Sequence, residues 1–305
     1  MVTFPISGVE THWWLPPLTG FVLALLAVPG GVSGAFLLLP FQVSILRFTS
    51  PAVSGTNLIF NLVSIPGSLL RYHREKRVLW GLAGWLISGS VVGMIGGIIL
   101  RSVYLADPKW FKFFAGWVLL LLGIRLLVSL FQKTRTPGAP TDASKPSTNS
   151  LTPVSQVKLQ VDWPKLQIQI CDGNETHAVG MIGLGLVSLI VGVLGGAYGI
   201  GGGAILAPIL VGVYRLPIYY ITGATLFTTF VSSLVGVVGF WWIGPALLGA
   251  SVPMQPDLML GAAFGLGGLA GGYVGAALQK QLPARAIIGL LAAMVLFIAA
   301  NYLTR

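Results

Sequence analysis

Long apolar runs alternate with short polar segments along the whole chain. In the first half the runs cover residues 17–46, 52–70, 79–100 and 110–131. In the second half they cover residues 178–214, 219–243, 258–278 and 286–303. Because about 20 apolar residues are enough for a helix to cross a bilayer, the pattern predicts an all-α integral membrane protein. Each half is expected to contain about four membrane helical segments.

A polar segment at residues 132–177 separates the two halves. Its first part is rich in Pro, Ser and Thr, which is typical of a linker. Its second part alternates apolar and polar positions on both sides of Trp163 and Pro164, and this favours a small β-hairpin outside the membrane. We therefore expect a first membrane repeat at 1–131, an extramembrane linker at 132–177 and a second membrane repeat at 178–305.

Composition agrees with the membrane assignment. The chain has 55% hydrophobic and only 9% charged residues, with a mean hydropathy of +0.86, whereas soluble domains carry about a quarter charged residues. These values exclude a soluble enzyme, a DNA-binding domain and a disordered chain. The net charge of +10 comes from Lys and Arg between the apolar runs, where they orient the protein in the membrane, so no nucleic-acid partner is expected.

The residues that usually bind metals are sparse. Cys171 is the single cysteine, which excludes a disulfide within the chain and a cysteine metal cluster. His12, His73 and His177 are scattered through polar segments. An intramembrane enzyme would need a metal or a paired acid and base, so we expect no catalytic residues, no metal and no cofactor.

The two halves are related in sequence. A shift of 168 positions aligns residues 29–64 with residues 197–232 without a gap and gives ten identities in 36 positions. A shift of 179 then aligns Gly89, Gly93 and Gly96 with Gly268, Gly272 and Gly275. Paired repeats in a membrane chain are typical of secondary transporters.

Two topologies remain open for these repeats. If every run crosses once, Lys and Arg divide ten to seven between the two sides of the membrane. If the long first run of each half instead enters and leaves on one side, the repeats are inverted and the division becomes twelve to five. Because the stronger bias follows the positive-inside rule, we favour inverted repeats.

Glycine clusters interrupt the long first run of each half. The second half has Gly199, Gly201, Gly202 and Gly203 ahead of Pro208. The first half has the weaker copy, whose candidate binding residues are Gly30, Gly31, Ser33 and Gly34 ahead of Pro40. Since each glycine costs a helix about 1 kcal/mol, these clusters serve either close helix packing or a break, and we favour breaks. The backbone N–H groups and the positive end of a half-helix at a break bind anions, so two facing breaks predict one site at the membrane midplane.

Small polar residues follow each glycine cluster and supply further candidate ligands. Asn57 and Thr225 occupy equivalent repeat positions, and we select them as substrate-binding side chains. Arg47 and Arg215 are also equivalent; they either attract anions at the mouths of the path or fix topology. All eight acidic residues lie outside the apolar runs or at their ends, so we expect no proton relay at mid-depth.

The motif Gly-Ile-Gly-Gly-Gly at 199–203 with Pro208, its degenerate copy in the first half and the Ser/Thr-rich segments after each resemble the TauE/SafE family of sulfite exporters. The resemblance covers both membrane halves and leaves out the linker. It implies a multi-pass cell-membrane transporter whose partners are the lipid bilayer and a small sulfur-containing anion, such as sulfite, thiosulfate or an organosulfonate. A cation-coupled transporter of another solute and a non-transporting anion sensor are the alternatives.

Overall fold

The structure, a computed structural model, describes residues 1–30, 32–131, 158–162, 166–172, 175–214, 216, 218–248, 254–278 and 284–304. The chain is mostly helical. The first half contains α1 (Leu15–Ala27), α2 (Ala35–Ser44), α3 (Ala52–Arg74), α4 (Trp80–Val103) and α5 (Pro108–Phe131). The second contains α6 (Met181–Tyr198), α7 (Gly203–Gly212), α8 (Ile218–Leu248), α9 (Leu258–Leu278) and α10 (Ala284–Thr304).

Six of the described helices are long and apolar enough to cross a membrane. They are α3, α4, α5, α6, α8 and α9. The helices α2 and α7 have ten residues each, which at 1.5 Å per residue is about 15 Å, or half the hydrocarbon core. Each long first run is thus divided into α1 and α2, or α6 and α7, by a non-α-helical segment at its glycine cluster.

Helix ends coincide with residues that favour termination or capping. The first turn of α1 contains Pro16 and Pro17, which need no backbone N–H there. The carboxylate of Asp257 accepts a hydrogen bond of 3.0 Å from Leu260 N and so caps α9. The α6 helix ends at Gly199 in the left-handed region, φ 84°, as helices commonly do.

The helices pack in pairs that join the two halves. Helix α4 lies along α6, and α9 lies along α1; α3 contacts both α9 and α8, while α8 also contacts α4. Glycines allow the closest approaches, because a methyl group on Gly93 of α4 would lie 2.9 Å from the Gly192 Cα of α6. A methyl group on Gly271 of α9 would overlap the Phe21 carbonyl oxygen of α1. The core therefore lies between the halves rather than within each.

Two small antiparallel sheets lie outside the helices. Strands β1 (Val2–Thr3) and β2 (Glu10–Thr11) form a hairpin. Its tip is held by Ser7, whose N and Oγ donate to the Asp257 carboxylate at 2.9 and 2.8 Å. In the second sheet β3 (Lys158–Asp162) pairs with β4 (Gln167–Asp172), and β4 pairs with β5 (Glu175–Gly180).

The second sheet differs in extent from the hairpin that the sequence predicts. Its third strand includes Ala178 and Val179, which the hydropathy pattern assigns to the start of a membrane run. The α6 helix begins only at Met181, whose N donates to Leu166 O at 2.8 Å. Short apolar stretches fit a strand or a helix equally well, and strand pairing with β4 decides between them here.

Candidate functional site

The first helix break lies between α1 and α2. A single 3₁₀ turn, Val28–Gly30, ends α1, and α2 begins at Ala35. The hydroxyl of Ser33, 2% exposed, accepts from Ala35 N at 3.2 Å and donates to Asn61 Oδ1 on α3. Gly34 is the N-cap of α2, and Gly30 ends the turn. Gly31 lies outside the described residues, so its predicted role stays a prediction.

The second break, between α6 and α7, depends on glycine conformation. Gly199 and Gly201 have φ of 84° and 75°, a region that other residues rarely adopt. Gly202 N donates to Ser232 Oγ on α8 at 2.9 Å, and α7 starts at Gly203. These four positions are the candidate residues of the second glycine cluster, and all four are buried.

Tight packing surrounds the second break, so its glycines also serve close approach. A methyl group on Gly199 would overlap the Ser54 carbonyl oxygen of α3, and one on Gly203 would overlap the Thr225 carbonyl oxygen of α8. A methyl group on Gly202 would overlap the Ser90 hydroxyl of α4. Three helices therefore enclose the N-terminal end of α7.

Two asparagines of α3 link the first half to the second break. Asn57 Nδ2 donates to Ala35 O at 2.8 Å and to Gly199 O at 2.9 Å, so it touches both breaks at once. Asn61 Nδ2 donates to Ile200 O at 2.9 Å, and its Oδ1 accepts from Ser33. Both asparagines are fully buried. The two glycine clusters that the sequence places 168 residues apart are therefore close together in the interior.

The hydroxyls of α8 are arranged differently. Thr225 Oγ1 donates to Ile221 O at 3.2 Å and to Thr222 O at 3.1 Å, both within its own helix. Thr229 and Ser232 likewise donate to carbonyls three or four residues earlier. Such bonds are common for Ser and Thr in membrane helices. Thr225 contributes to the second break through its backbone, which faces Gly203.

The basic residues that the structure describes in the membrane halves do not form one cluster around the breaks. Arg47 is exposed and has φ 55°, in the connection that follows α2. Arg215 lies outside the described residues. Arg125, inside α5, donates from Nε to Pro208 O of α7 at 3.4 Å. Arg125 therefore links α5 to the middle of α7.

Sequence reasoning missed Arg101 as a candidate site residue. It directly follows the apolar run 79–100, where a basic residue is expected at the membrane surface, yet its side chain is 0% exposed. Its Nε donates to Ser54 Oγ at 3.2 Å, and Ser54 Oγ donates to Ala197 O beside the second break at 3.2 Å. The run boundary carried no signal of this burial, because basic residues at run ends usually face the interface.

The described interior is closely packed. A cavity of about 10 Å³ lies beside the breaks and is lined by Val32, Phe36, Leu122, Leu126 and Pro208. Its lining is apolar, and its size suits about one water molecule rather than a sulfonate. No group of three or more His, Cys, Asp and Glu side chains within the described ranges is placed to hold a metal ion.

Six helices able to cross the membrane in the described part of the chain define a multi-pass membrane protein, and paired helix breaks such as these are typical of transporters. The family described as Sulfite exporter TauE/SafE matches residues 17–302, and the chain belongs to this family. Its members are cell-membrane transporters of sulfur anions rather than enzymes. Comparison with the curated proteins and with the solved structures gave no match.

Proposed function

We propose that the protein transports small sulfur-containing anions such as sulfite, thiosulfate or organosulfonates and binds them at the membrane midplane where the two helix breaks meet. The observation that supports this proposal most directly is that Asn57 joins the two breaks by donating to Ala35 O and to Gly199 O. Backbone N–H groups at the starts of α2 and α7 would face the anion. The proposed ligand residues are Gly30, Gly31, Ser33, Gly34, Asn57, Gly199, Gly201, Gly202, Gly203 and Thr225.

Matched local geometry supports the proposal that the two halves are repeats. Val32 N donates to Ala27 O, and at a shift of 168 positions Ile200 N donates to Gly195 O. After the short helices, Phe48 N donates to Gln42 O at 3.0 Å and Leu216 N donates to Leu210 O at 3.1 Å. An inverted arrangement would bring the two short helices to one midplane site.

The hydrogen bonds that the carbonyls of the second break already accept argue against a site for a coupling cation there. A sodium site of this type needs unwound backbone carbonyls as ligands. Here Gly199 O and Ile200 O accept bonds from the amides of Asn57 and Asn61, and Ala197 O accepts from Ser54. Since these oxygens already accept hydrogen bonds from side chains, the break does not present them as open ligands for a cation.

Uptake by liposomes containing the purified protein tests the proposal. Labelled sulfite, thiosulfate and methanesulfonate are compared with sulfate and an amino acid, while pH and sodium gradients are varied. Saturable uptake of at least one sulfur anion without a sodium requirement is expected. Absence of uptake of all three, with protein shown to be folded, would contradict the proposal.

A pair of glycine variants tests the location of the site. Gly202→Leu places a side chain against Ser90 Oγ and Gly192 Cα, and transport should be abolished. The same change at Gly84, where nothing lies within 4 Å of an added methyl group, is the matched control. Full transport by a folded Gly202→Leu protein would remove the glycine cluster from the proposal.

A further inference from the structure

Arg101 is a buried cation without an acidic partner in the described part of the chain. Its side chain is 0% exposed, and one terminal nitrogen, Nη2, has no hydrogen-bond partner there. The other bonds are neutral: Nε donates to Ser54 Oγ and Nη1 donates to Leu105 O. The C-terminal end of α4 and the Phe111 ring offset part of the cost of burying this charge, and an anion at Nη2 would offset the rest.

We propose that Arg101 is the fixed positive charge that binds the anionic group of the substrate on its way to the helix breaks. This inference rests on the proposed function, since it assigns the charge recognition of the same transported anion. A guanidinium donates two parallel N–H bonds to a sulfonate or sulfite, as it does to phosphate and carboxylate. The unpaired Nη2 is available for such a contact.

Arg101 lies between the second break and a surface that carries two lysines and Asp107. Lys109 and Lys112, in the first turns of α5, are exposed on either side of Phe111 in the sequence. Phe111 covers the guanidinium, with 3.7 Å between the Arg101 Cζ and the ring centroid. On the inner side, the bond from Arg101 to Ser54 continues to Ala197 O. Exposed lysines raise the local anion concentration, and the buried arginine then discriminates charge.

The structure describes a state in which this charge is closed to solvent. Phe111 is 1% exposed and Leu105 is 9% exposed. Leu105 lies in the segment that connects α4 to α5, and Phe111 lies in the first turn of α5. An anion reaches Arg101 when Phe111 moves away, and the return of the ring would close the path behind it.

The test measures recognition of charge in liposomes containing the wild type and Arg101→Gln. Uptake of labelled thiosulfate is inhibited with methanesulfonate, which is anionic, and with methanesulfonamide, its neutral counterpart. In the wild type only methanesulfonate should inhibit. In Arg101→Gln the KM for thiosulfate should rise at least 10-fold, and methanesulfonate should inhibit no better than the amide.

The charge-matched control is Arg125→Gln, because Arg125 also lies within a membrane helix but is only partly buried, unlike Arg101. Its bond to Pro208 O is structural, so we expect the KM for thiosulfate to change less than 2-fold. Arg101→Lys retains the charge without the planar fork and should keep the preference for methanesulfonate with a smaller rise in KM. An Arg101→Gln protein that is folded and has unchanged KM and inhibition overturns the inference.

Two further outcomes concern a variant that does not fold and a wild type that does not transport. If Arg101→Gln does not fold, Arg101→Lys decides the question, because this change keeps the charge and removes the planar fork. A KM at least 3-fold higher then supports the inference, and an unchanged KM overturns it. If the wild type itself takes up no sulfur anion, the proposed function fails; if the wild type transports and only the Arg101 result is negative, the inference alone fails.

Discussion

The two helix breaks have the same place in sequence but different chemistry. At the first break a side chain, Ser33, accepts a hydrogen bond from Ala35 N at the start of α2. At the second break the equivalent position is Gly201, whose φ of 75° disfavours such a side chain. Conversely, α3 sends Asn57 and Asn61 across to the second break, while their equivalents on α8 bond their own helix. One half thus supplies side chains and the other supplies backbone.

This difference shows how a repeat specialises while keeping its geometry. Carbonyls at the second break accept hydrogen bonds from the amides of Asn57 and Asn61 in the other half. Because these two bonds cross between the halves, the second break depends on the first half for its shape. Changes at paired positions are therefore the most direct way to separate the two roles.

Exchange of residues at the paired positions Ser33 and Gly201 should give the largest effect. In Gly201→Ser the left-handed φ costs about 1–2 kcal/mol. The new Cβ would also lie 2.8 Å from Ser233 Oγ and from Thr229 Cγ2. We expect less than 10% of wild-type thiosulfate uptake and a lower melting temperature.

The reciprocal change, Ser33→Gly, should be milder. It removes the bonds to Ala35 N and Asn61 Oδ1, and each net hydrogen bond contributes about 1 kcal/mol. Uptake should fall about 3- to 10-fold in the same assay. Equal losses in the two variants would show that the breaks are chemically equivalent after all.

The next largest loss of uptake is expected for Asn57→Leu, with Thr225→Val as its comparison. The first change removes the Asn57 bonds to Ala35 O and Gly199 O, and a buried carbonyl left without a donor costs about 1–3 kcal/mol. We expect at least a 10-fold loss of uptake. Thr225→Val loses only bonds within its own helix, and a change of less than 3-fold is expected. A larger effect at Thr225 would make its hydroxyl the more important ligand.

Gly93→Ala tests the packing between the halves rather than the breaks. The added methyl group meets the backbone of α6 at Leu189 O and lies 2.8 Å from Val193 N, so overpacking should cost about 1–3 kcal/mol. The melting temperature should fall, while the KM of the protein that remains folded stays unchanged. Gly84→Ala, on the same helix but in open space, should leave the melting temperature unchanged or raise it slightly.

Arg47→Gln should have the smallest effect. Arg47 is exposed, so its contribution to anion approach is screened by salt. In about 10 mM salt, where the Debye length is long, we expect the KM for thiosulfate to be up to 3-fold higher than in the wild type. In about 500 mM salt, where the Debye length is short, we expect no difference. A salt-independent effect would indicate a direct ligand instead.

Hydropathy and glycine content predict much of this fold, but they do not predict side-chain partners. The runs at 52–70, 110–131 and 258–278 each lie within one helix, and the glycine clusters lie at breaks. Which Asn pairs with which carbonyl depends on α3 crossing beside α6 and α8, a tertiary relation that has no local pattern. The burial of Arg101 likewise depends on Phe111, ten residues later, packing over it. Such contacts leave no periodic trace in the sequence.

The pairing of α1 with α9 also has a consequence for biosynthesis. Helix α1 ends at Ala27, whereas its partner begins at Leu258. At ribosomal speeds of about 5–20 residues per second, α1 waits roughly ten seconds to a minute for that partner to be made. During this interval its faces must be tolerated by lipid or held by an insertion chaperone, and the sequence of α1, which has no charged residue, suits that waiting period.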